Sequence, residues 1–127
     1  FRSVLLCLAS VAAAGGALLP ARSSQIQAPP AQAPDFAREI QPLLRARCMP
    51  CHGDVRAAGG LKLTRLKSAM AGGSSGARGL VPHEPDASSV IQRVSTADAD
   101  LVMPPRTSGK PPLTPAEVAT LRRWVQS

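Results

Sequence analysis

The amino-acid sequence predicts an all-α fold of about four short helices, formed by residues 35–127 of the 127-residue chain. In several segments of that range, apolar residues recur at the three- and four-residue spacing of an amphipathic helix. No stretch of useful length alternates apolar and polar residues as a strand would, and no segment repeats. The range contains two aromatic residues, Phe36 and Trp124, so a core made from its own side chains would be small.

The first predicted helix begins after Asp35, which can cap it, and leads directly into Cys48. Proline lacks a backbone N–H, so the helix must bend or loosen at Pro42. The apolar positions of this helix fall on one face, and they are Phe36, Ile40, Leu43 and Leu44.

A second short helix is predicted to start at Thr64 and to carry Leu66 and Met70 before two glycines end it. The segment 72–76, of sequence GGSSG, matches neither a dinucleotide-binding motif nor a P-loop and is expected to be a flexible loop. A third helix is predicted to begin near Asp86 or Ser88. Its buried positions would be Val90, Ile91 and Val94.

The last helix carries the most complete set of start signals. Thr114 is the predicted N-cap, Pro115 takes the first helical position, and Glu117 completes a capping box. Val118 can contact Leu113 across the cap as a hydrophobic staple. The apolar face of this helix is predicted to consist of Val118, Leu121, Trp124 and Val125.

Residues 1–34 are expected to lie outside the folded domain. Arg2 precedes an apolar run that extends to Leu19, and small, polar, proline-rich residues follow, which is the layout of a secretory signal peptide. We therefore assign residues 1–21 to a signal peptide and residues 22–34 to a Pro-rich linker. An uncleaved membrane anchor is the alternative, although the run is short for a membrane span. Either way the domain would be exported, to the periplasm or an equivalent compartment.

The segment 48–52, of sequence CMPCH, has the spacing of a c-type haem attachment motif. Cys48 and Cys51 would form thioether bonds to the porphyrin, and His52 would bind the iron. A structural zinc site needs four ligands, and the rest of the chain offers one further cysteine and one further histidine. A thioredoxin-like pair would follow a strand, whereas the flanking segments are helical or glycine-rich. The motif therefore predicts one covalent haem c, which would also supply missing core volume.

A methionine thioether suits a low-spin haem iron and raises its reduction potential. Met49 lies inside the attachment motif, and Met70 has the helical spacing of a core residue. Met103 precedes two prolines in an irregular segment where no helix competes for its side chain. We therefore favour Met103 over Met70 as the second iron ligand beside His52. His83 is a further alternative that would give a bis-histidine iron, although its proline-flanked loop is more typical of a solvated residue.

Residues 35–127 contain a series of motifs in this order: Phe36-x-x-x-Ile40-x-Pro42-x-Leu44, Cys48-x-x-Cys51-His52-Gly53, Gly60-Leu61-x-Leu63, Gly72-Gly73, Val81-Pro82, Ser89-x-Ile91, Met103-Pro104-Pro105, Leu113-Thr114 and Trp124. Together they resemble the cytochrome c domains of planctomycetes and related bacteria. The resemblance implies a small monohaem cytochrome c fold with His52 and Met103 as the axial ligands, usually as the N-terminal part of a larger exported protein. The start at Phe1 rather than Met also leads us to expect a piece of a longer protein. The chain departs from the family at His83, where a glycine is expected.

The formal net charge of +7 indicates an acidic partner, because basic charge around a haem edge steers the encounter with such a protein. Nucleic acid is not favoured, since the arginines are scattered through amphipathic helices without stacking aromatics. Arg56 and Arg65 are candidates to pair with a haem propionate. Asp98 and Asp100 are expected to be exposed loop carboxylates, so the sequence predicts no catalytic residue set.

The predicted function is electron transfer to or from a redox protein partner or a fused redox domain. The alternative is a haem enzyme or gas sensor in which the iron keeps an open axial position. Met103 and the two prolines after it favour the first function, and the absence of a distal histidine or arginine motif weighs against peroxidase chemistry.

Overall fold

The computed structural model describes residues 32–127, so the predicted signal peptide and most of the predicted linker lie outside the described residues. Within this range the chain is helical, and no strand longer than a single bridge occurs in it. The all-α prediction is therefore confirmed. The helices are α1 (Gln41–Arg47), α2 (Met49–His52), α3 (Leu66–Ala71), α4 (Ser89–Ser95) and α5 (Pro115–Gln126).

The first predicted helix is made of three consecutive pieces. Asp35 caps it as predicted, because its side chain accepts a hydrogen bond from the Arg38 N–H at 2.7 Å. A π-helical turn over Phe36–Ile40 comes first, and α1 follows with Pro42 in its opening turn, where a missing N–H costs little. The sequence predicted a bend or loosening of this helix at Pro42, and the wide π-helical turn before α1 is such a loosening. The short helix α2, which contains most of the CMPCH motif, was not predicted and accounts for the fifth helix.

The middle of the chain follows the predicted order with small shifts. Helix α3 begins at Leu66, two residues later than predicted, and ends at Gly72, whose φ of 88° is readily adopted by glycine. Helix α4 begins after Ser88, which is fully buried. The Ser88 hydroxyl accepts a hydrogen bond from the Val81 N–H at 2.8 Å and donates to the Glu84 carbonyl at 3.0 Å. This buried serine therefore holds together the turn before α4.

The start of helix α5 is as the sequence predicted, with Thr114 as N-cap and a capping box to Glu117. The Thr114 hydroxyl accepts from the Glu117 N–H at 3.2 Å, and the Glu117 carboxylate accepts from the Thr114 N–H at 2.7 Å. The Trp124 ring lies 5.7 Å from the Phe36 ring, measured between centroids. Phe36 is nevertheless 47% exposed, so the apolar face of the first helical segment is less buried at its start than predicted.

The core is small and directly borders the site described below. Each valine, leucine or isoleucine side chain in it contributes about 1.5–3 kcal/mol by leaving water. No helix within residues 32–127 is both long and apolar enough to cross a bilayer. The buried core residues are Ile40, Leu44, Cys48, Leu63, Ala69, Leu80, Val90, Ile91, Leu113, Leu121 and Val125.

Candidate haem-binding site

One cavity of about 510 Å³ is lined by all four residues that the sequence predicts as haem ligands, Cys48, Cys51, His52 and Met103. Its volume lies within the range of roughly 300–1,000 Å³ that is typical of ligand pockets. Its donor set of two thiols, an imidazole and a thioether matches the requirements of a covalent haem. The aliphatic part of the wall consists of Ala58, Leu61, Leu63, Val90, Val94 and Leu113.

The attachment motif is one tight turn organised around Cys48. The Cys48 N–H donates to the Leu44 carbonyl at 2.9 Å, so the residue continues directly from α1. The Cys48 carbonyl accepts from the N–H groups of Cys51 at 3.1 Å and His52 at 2.9 Å. A Cβ atom on Gly53 would lie 2.6 Å from the Met49 carbonyl oxygen, which explains the glycine after the motif. Local hydrogen bonds therefore bring the two sulfurs and the imidazole into a single turn.

The His52 ring has no hydrogen-bonding partner in the described part of the chain for its buried Nδ1 atom. A histidine that binds a metal through one ring nitrogen usually donates its other N–H to a nearby group, which fixes the orientation of the ring. A hydrogen bond fixes the main chain of His52 rather than its ring: the His52 carbonyl accepts from the Leu63 N–H at 2.8 Å. Packing and a bond to iron would therefore have to orient this imidazole.

The Cys48 thiol has a raised pKa of about 11. Burial is the main cause, and Arg47 opposes it by lowering the pKa, while Glu117 adds a further increase. Such a thiol is protonated at neutral pH and is a poor thiolate ligand for a metal ion. No group of three or more His, Cys, Asp or Glu side chains that could hold a metal ion occurs among residues 32–127. The described residues thus offer no set of zinc ligands.

Met103 reaches the cavity on a loop that is tied to α4. Its N–H donates to the Arg93 carbonyl at 2.9 Å, and the Arg93 guanidinium donates to the Leu101 carbonyl at 3.3 Å. The Met103–Pro104 peptide bond is cis. Met70 does not line the cavity and packs against the core, as does Met49. Of the three methionines, the structure therefore brings Met103 together with the attachment motif.

Residues 48–107 match the family model described as Planctomycete cytochrome C. This segment is a cytochrome c domain of the planctomycete type. The match begins at the first cysteine of the attachment motif and ends just beyond the prolines that follow Met103, so it includes both parts of the cavity wall described above. Membership of this family implies haem c and indicates haem-based electron transfer. No curated protein and no solved structure matches the chain.

His83, where this cytochrome c domain departs from the expected glycine, lies outside the cavity wall. It has a φ of 64° and occupies the third position of a turn in which the Glu84 N–H donates to the Val81 carbonyl at 3.0 Å. A left-handed residue at that position favours glycine, which explains the family preference. The side chain compensates in part, since its Nδ1 lies 3.2 Å from the Gln126 carbonyl. The structure thus gives the bis-histidine alternative no support.

The charged part of the cavity wall in this domain is cationic, because no aspartate or glutamate from residues 32–127 lines it. Arg56, one of the two propionate candidates, lines the cavity, whereas Arg65 does not. Asp98 and Asp100 are exposed, and the Asp98 carboxylate accepts a hydrogen bond from the Asp100 N–H. A ligand that carries carboxylates, as haem does, suits such a wall. Its charged members are Arg47, Arg56, Arg93 and Lys110.

Sequence reasoning missed two parts of this wall. The segment 72–76 approaches Gly59 closely: the Ser74 N–H donates to the Gly59 carbonyl at 2.7 Å, and a Cβ on Gly73 would lie 2.3 Å from the same oxygen. Gly73, Ser74 and Ser75 line the cavity. The adjacent glycines signalled this close backbone approach, but their partner segment could not be read from the sequence. The second omission is Arg47, one of the arginines that the sequence shows only as scattered through amphipathic helices.

Proposed function

We propose that residues 35–127 bind one covalent haem c through Cys48 and Cys51, with His52 and Met103 as axial ligands, and carry single electrons. The observation that supports this most strongly is that one cavity is lined both by the CMPCH turn and by the Met103 loop. Met70, the other methionine weighed as a ligand, does not line that cavity and packs against the core.

The haem, when bound, supplies the one-electron chemistry at its iron. The residues of the chain attach the haem, bind its iron and shield it from water. Cys48 and Cys51 fix the cofactor covalently, so that it stays in place through repeated electron transfers. His52 and Met103 would both bind the iron and so leave it no open position for a substrate, and a thioether ligand would favour the reduced state. The aliphatic wall excludes water, and the arginines of the wall can hold the propionate groups.

The electron would be exchanged with a redox protein that has an acidic surface, or with a fused redox domain. Basic residues occur both in the cavity wall and on the exposed surface near it. Two segments contribute to that surface, the one after α2 and the one at the start of α3, and a 2.9 Å hydrogen bond from the Thr64 hydroxyl to the Asp54 carboxylate joins them. Such charge raises the rate of encounter with an acidic protein more than it raises affinity. The exposed basic residues of these two segments are Arg56, Lys62, Arg65 and Lys67.

Export is the second part of the proposal. The signal-like residues 1–21 would direct the chain across a membrane, to the periplasm or an equivalent compartment, where the haem is attached. The alternative of an uncleaved anchor would leave the domain on the same side of the membrane. Determining the N-terminal residue of the exported protein by mass spectrometry would distinguish cleavage from anchoring.

Absorption spectra of the chain, expressed with periplasmic haem-maturation machinery, test the haem proposal. We expect covalent haem, a low-spin spectrum with a methionine-to-iron charge-transfer band, and no uptake of carbon monoxide by the reduced protein. Met103→Leu should lose the band and bind carbon monoxide, whereas the matched Met70→Leu variant should keep the parent spectrum. A high-spin reduced protein that binds carbon monoxide before any substitution would indicate the haem enzyme or gas sensor instead. Absence of covalent haem would refute both.

A further inference from the structure

Arg47 is the charged residue of the cavity wall that makes the most contacts with the rest of the chain. It ends α1, directly before Cys48, and its side chain is 21% exposed. Its Nη2 atom donates to the Pro112 carbonyl at 2.8 Å and to the Pro111 carbonyl at 3.3 Å. These bonds hold the guanidinium between the attachment turn and the segment that precedes α5, so its charge has a fixed position in the wall.

Glu117 is the ionic partner of Arg47, and the pairing is incomplete. The Arg47 Nε atom lies 3.3 Å from Glu117 Oε1, but its hydrogen does not point at the oxygen, and Nε is buried without a hydrogen bond. The other carboxylate oxygen, Oε2, lies 3.5 Å from Nη2 and also accepts the Thr114 N–H of the capping box. Glu117 is not part of the cavity wall. The cation is therefore nearer to the cavity than the anion that balances it.

A fixed charge beside a redox centre changes the relative stability of its two oxidation states. Reduction adds an electron to the iron, so a nearby cation favours the reduced state and a nearby anion favours the oxidised state. Partial burial strengthens both effects, because the interior screens charge less than water does. At this wall the two effects oppose each other, and that of Arg47 should be the larger.

We propose that Arg47 and Glu117 act as a charge pair that sets the reduction potential of the haem, with Arg47 raising the potential and Glu117 lowering it. This inference rests on the haem-binding function proposed above. Both residues would then influence the reduction potential of the electron carrier through their charges, and Glu117 would also cap α5.

Equilibrium redox titration of the haem-loaded chain tests the proposal. Glu117→Gln is the decisive variant, because glutamine can still accept the Thr114 N–H and complete the capping box. We expect its reduction potential to rise, with a severalfold and at most about tenfold increase in the ratio of reduced to oxidised protein at a fixed applied potential. Arg47→Gln should lower that ratio, and the double variant should return it towards the parent value.

The ion pair of Arg122 and Asp86 supplies the matched control. Neither residue lines the cavity, and their side chains are 38% and 85% exposed. Asp86→Asn makes the same charge change as Glu117→Gln and should leave the reduction potential near the parent value. The spectrum of each variant should retain the methionine-to-iron band, which shows that the axial ligands are unchanged.

A purely structural role for the pair gives a different pattern. Loosening of the wall would admit water, and both single variants would then lower the potential while losing thermal stability together. A Glu117→Gln potential that falls, or that changes no more than in Asp86→Asn, would overturn the proposal. Failure of the haem-binding function itself would be seen separately, as absence of covalent haem in the parent chain.

Discussion

The two stretches of chain that supply the proposed iron ligands are constructed in different ways. The attachment turn is local, since Cys48 accepts hydrogen bonds from residues three and four positions later in the chain. The Met103 loop is held from a distance, by the carbonyl and the guanidinium of Arg93 on α4. The main chain of His52 is therefore positioned by its immediate neighbours, whereas that of Met103 is positioned by tertiary contacts. The thioether side of the site should be the first to open when the domain is stressed.

The largest effect is expected from removal of both thiols. Cys48→Ala/Cys51→Ala should abolish covalent attachment, because the local turn then presents an imidazole without tethers. Haem staining after denaturing electrophoresis, with intact mass, measures the result. Each single substitution should retain one thioether and a reduced yield of haem protein. Covalent haem in the double variant would contradict the assigned role of these two cysteines.

A steric change at Gly53 tests the attachment turn with a smaller expected effect. Gly53→Ala places a Cβ atom 2.6 Å from the Met49 carbonyl oxygen, so we expect destabilisation of about 1–3 kcal/mol and a lower yield of attached haem. Urea denaturation gives the free energy of unfolding. Gly76→Ala is the control: its added Cβ meets no atom within 4 Å, and its positive φ should cost about 1 kcal/mol without affecting haem attachment. Equal haem yields in the two variants would argue against a rigid attachment turn.

A change at Arg93 tests how firmly the Met103 loop is held. Arg93→Gln removes the 3.3 Å bond to the Leu101 carbonyl and leaves the main-chain bond to Met103, so the loop should weaken by about 0.5–1.5 kcal/mol. The methionine-to-iron band should then disappear at a lower urea concentration than in the parent, with little change in loss of helical circular dichroism. Arg78→Gln, on an exposed residue outside the cavity wall, provides the control. Parallel shifts of the two signals would mean that the loop is no weaker than the rest of the domain.

The smallest effect is expected at His83, which belongs to neither side of the site. His83→Gly relieves a left-handed φ of 64°, worth about 1 kcal/mol, and loses the side-chain contact with the Gln126 carbonyl. The two terms nearly cancel, so thermal stability should change little and the haem spectrum should stay the same. His83→Ala keeps the strained φ and should be less stable than His83→Gly. A changed haem spectrum in either variant would revive His83 as an iron ligand.

The same contrast explains what the sequence could predict. Helix α5 and the attachment motif, though not the short helix α2 that contains it, were predictable because their signals, such as Thr114 with Glu117, act over three or four residues. A loosened turn was anticipated from Pro42, but its π-helical form was not. The position of Arg47 in the cavity wall was not, because its partners lie more than sixty residues further along the chain. Met103 was proposed as a ligand from its proline neighbours, whereas its hydrogen bond to Arg93 could be seen only in the fold.

The burial of Cys48 has a consequence for the order of events during biogenesis. Its side chain belongs both to the core and to the cavity, and the residue is only 8% exposed. A cavity of about 510 Å³ can take a cofactor but is far too small to admit a protein catalyst. If haem is attached as proposed, an enzyme that makes the thioether bond to Cys48 would have to reach this sulfur while the polypeptide is still open. The chain would then fold around a cofactor that it already carries.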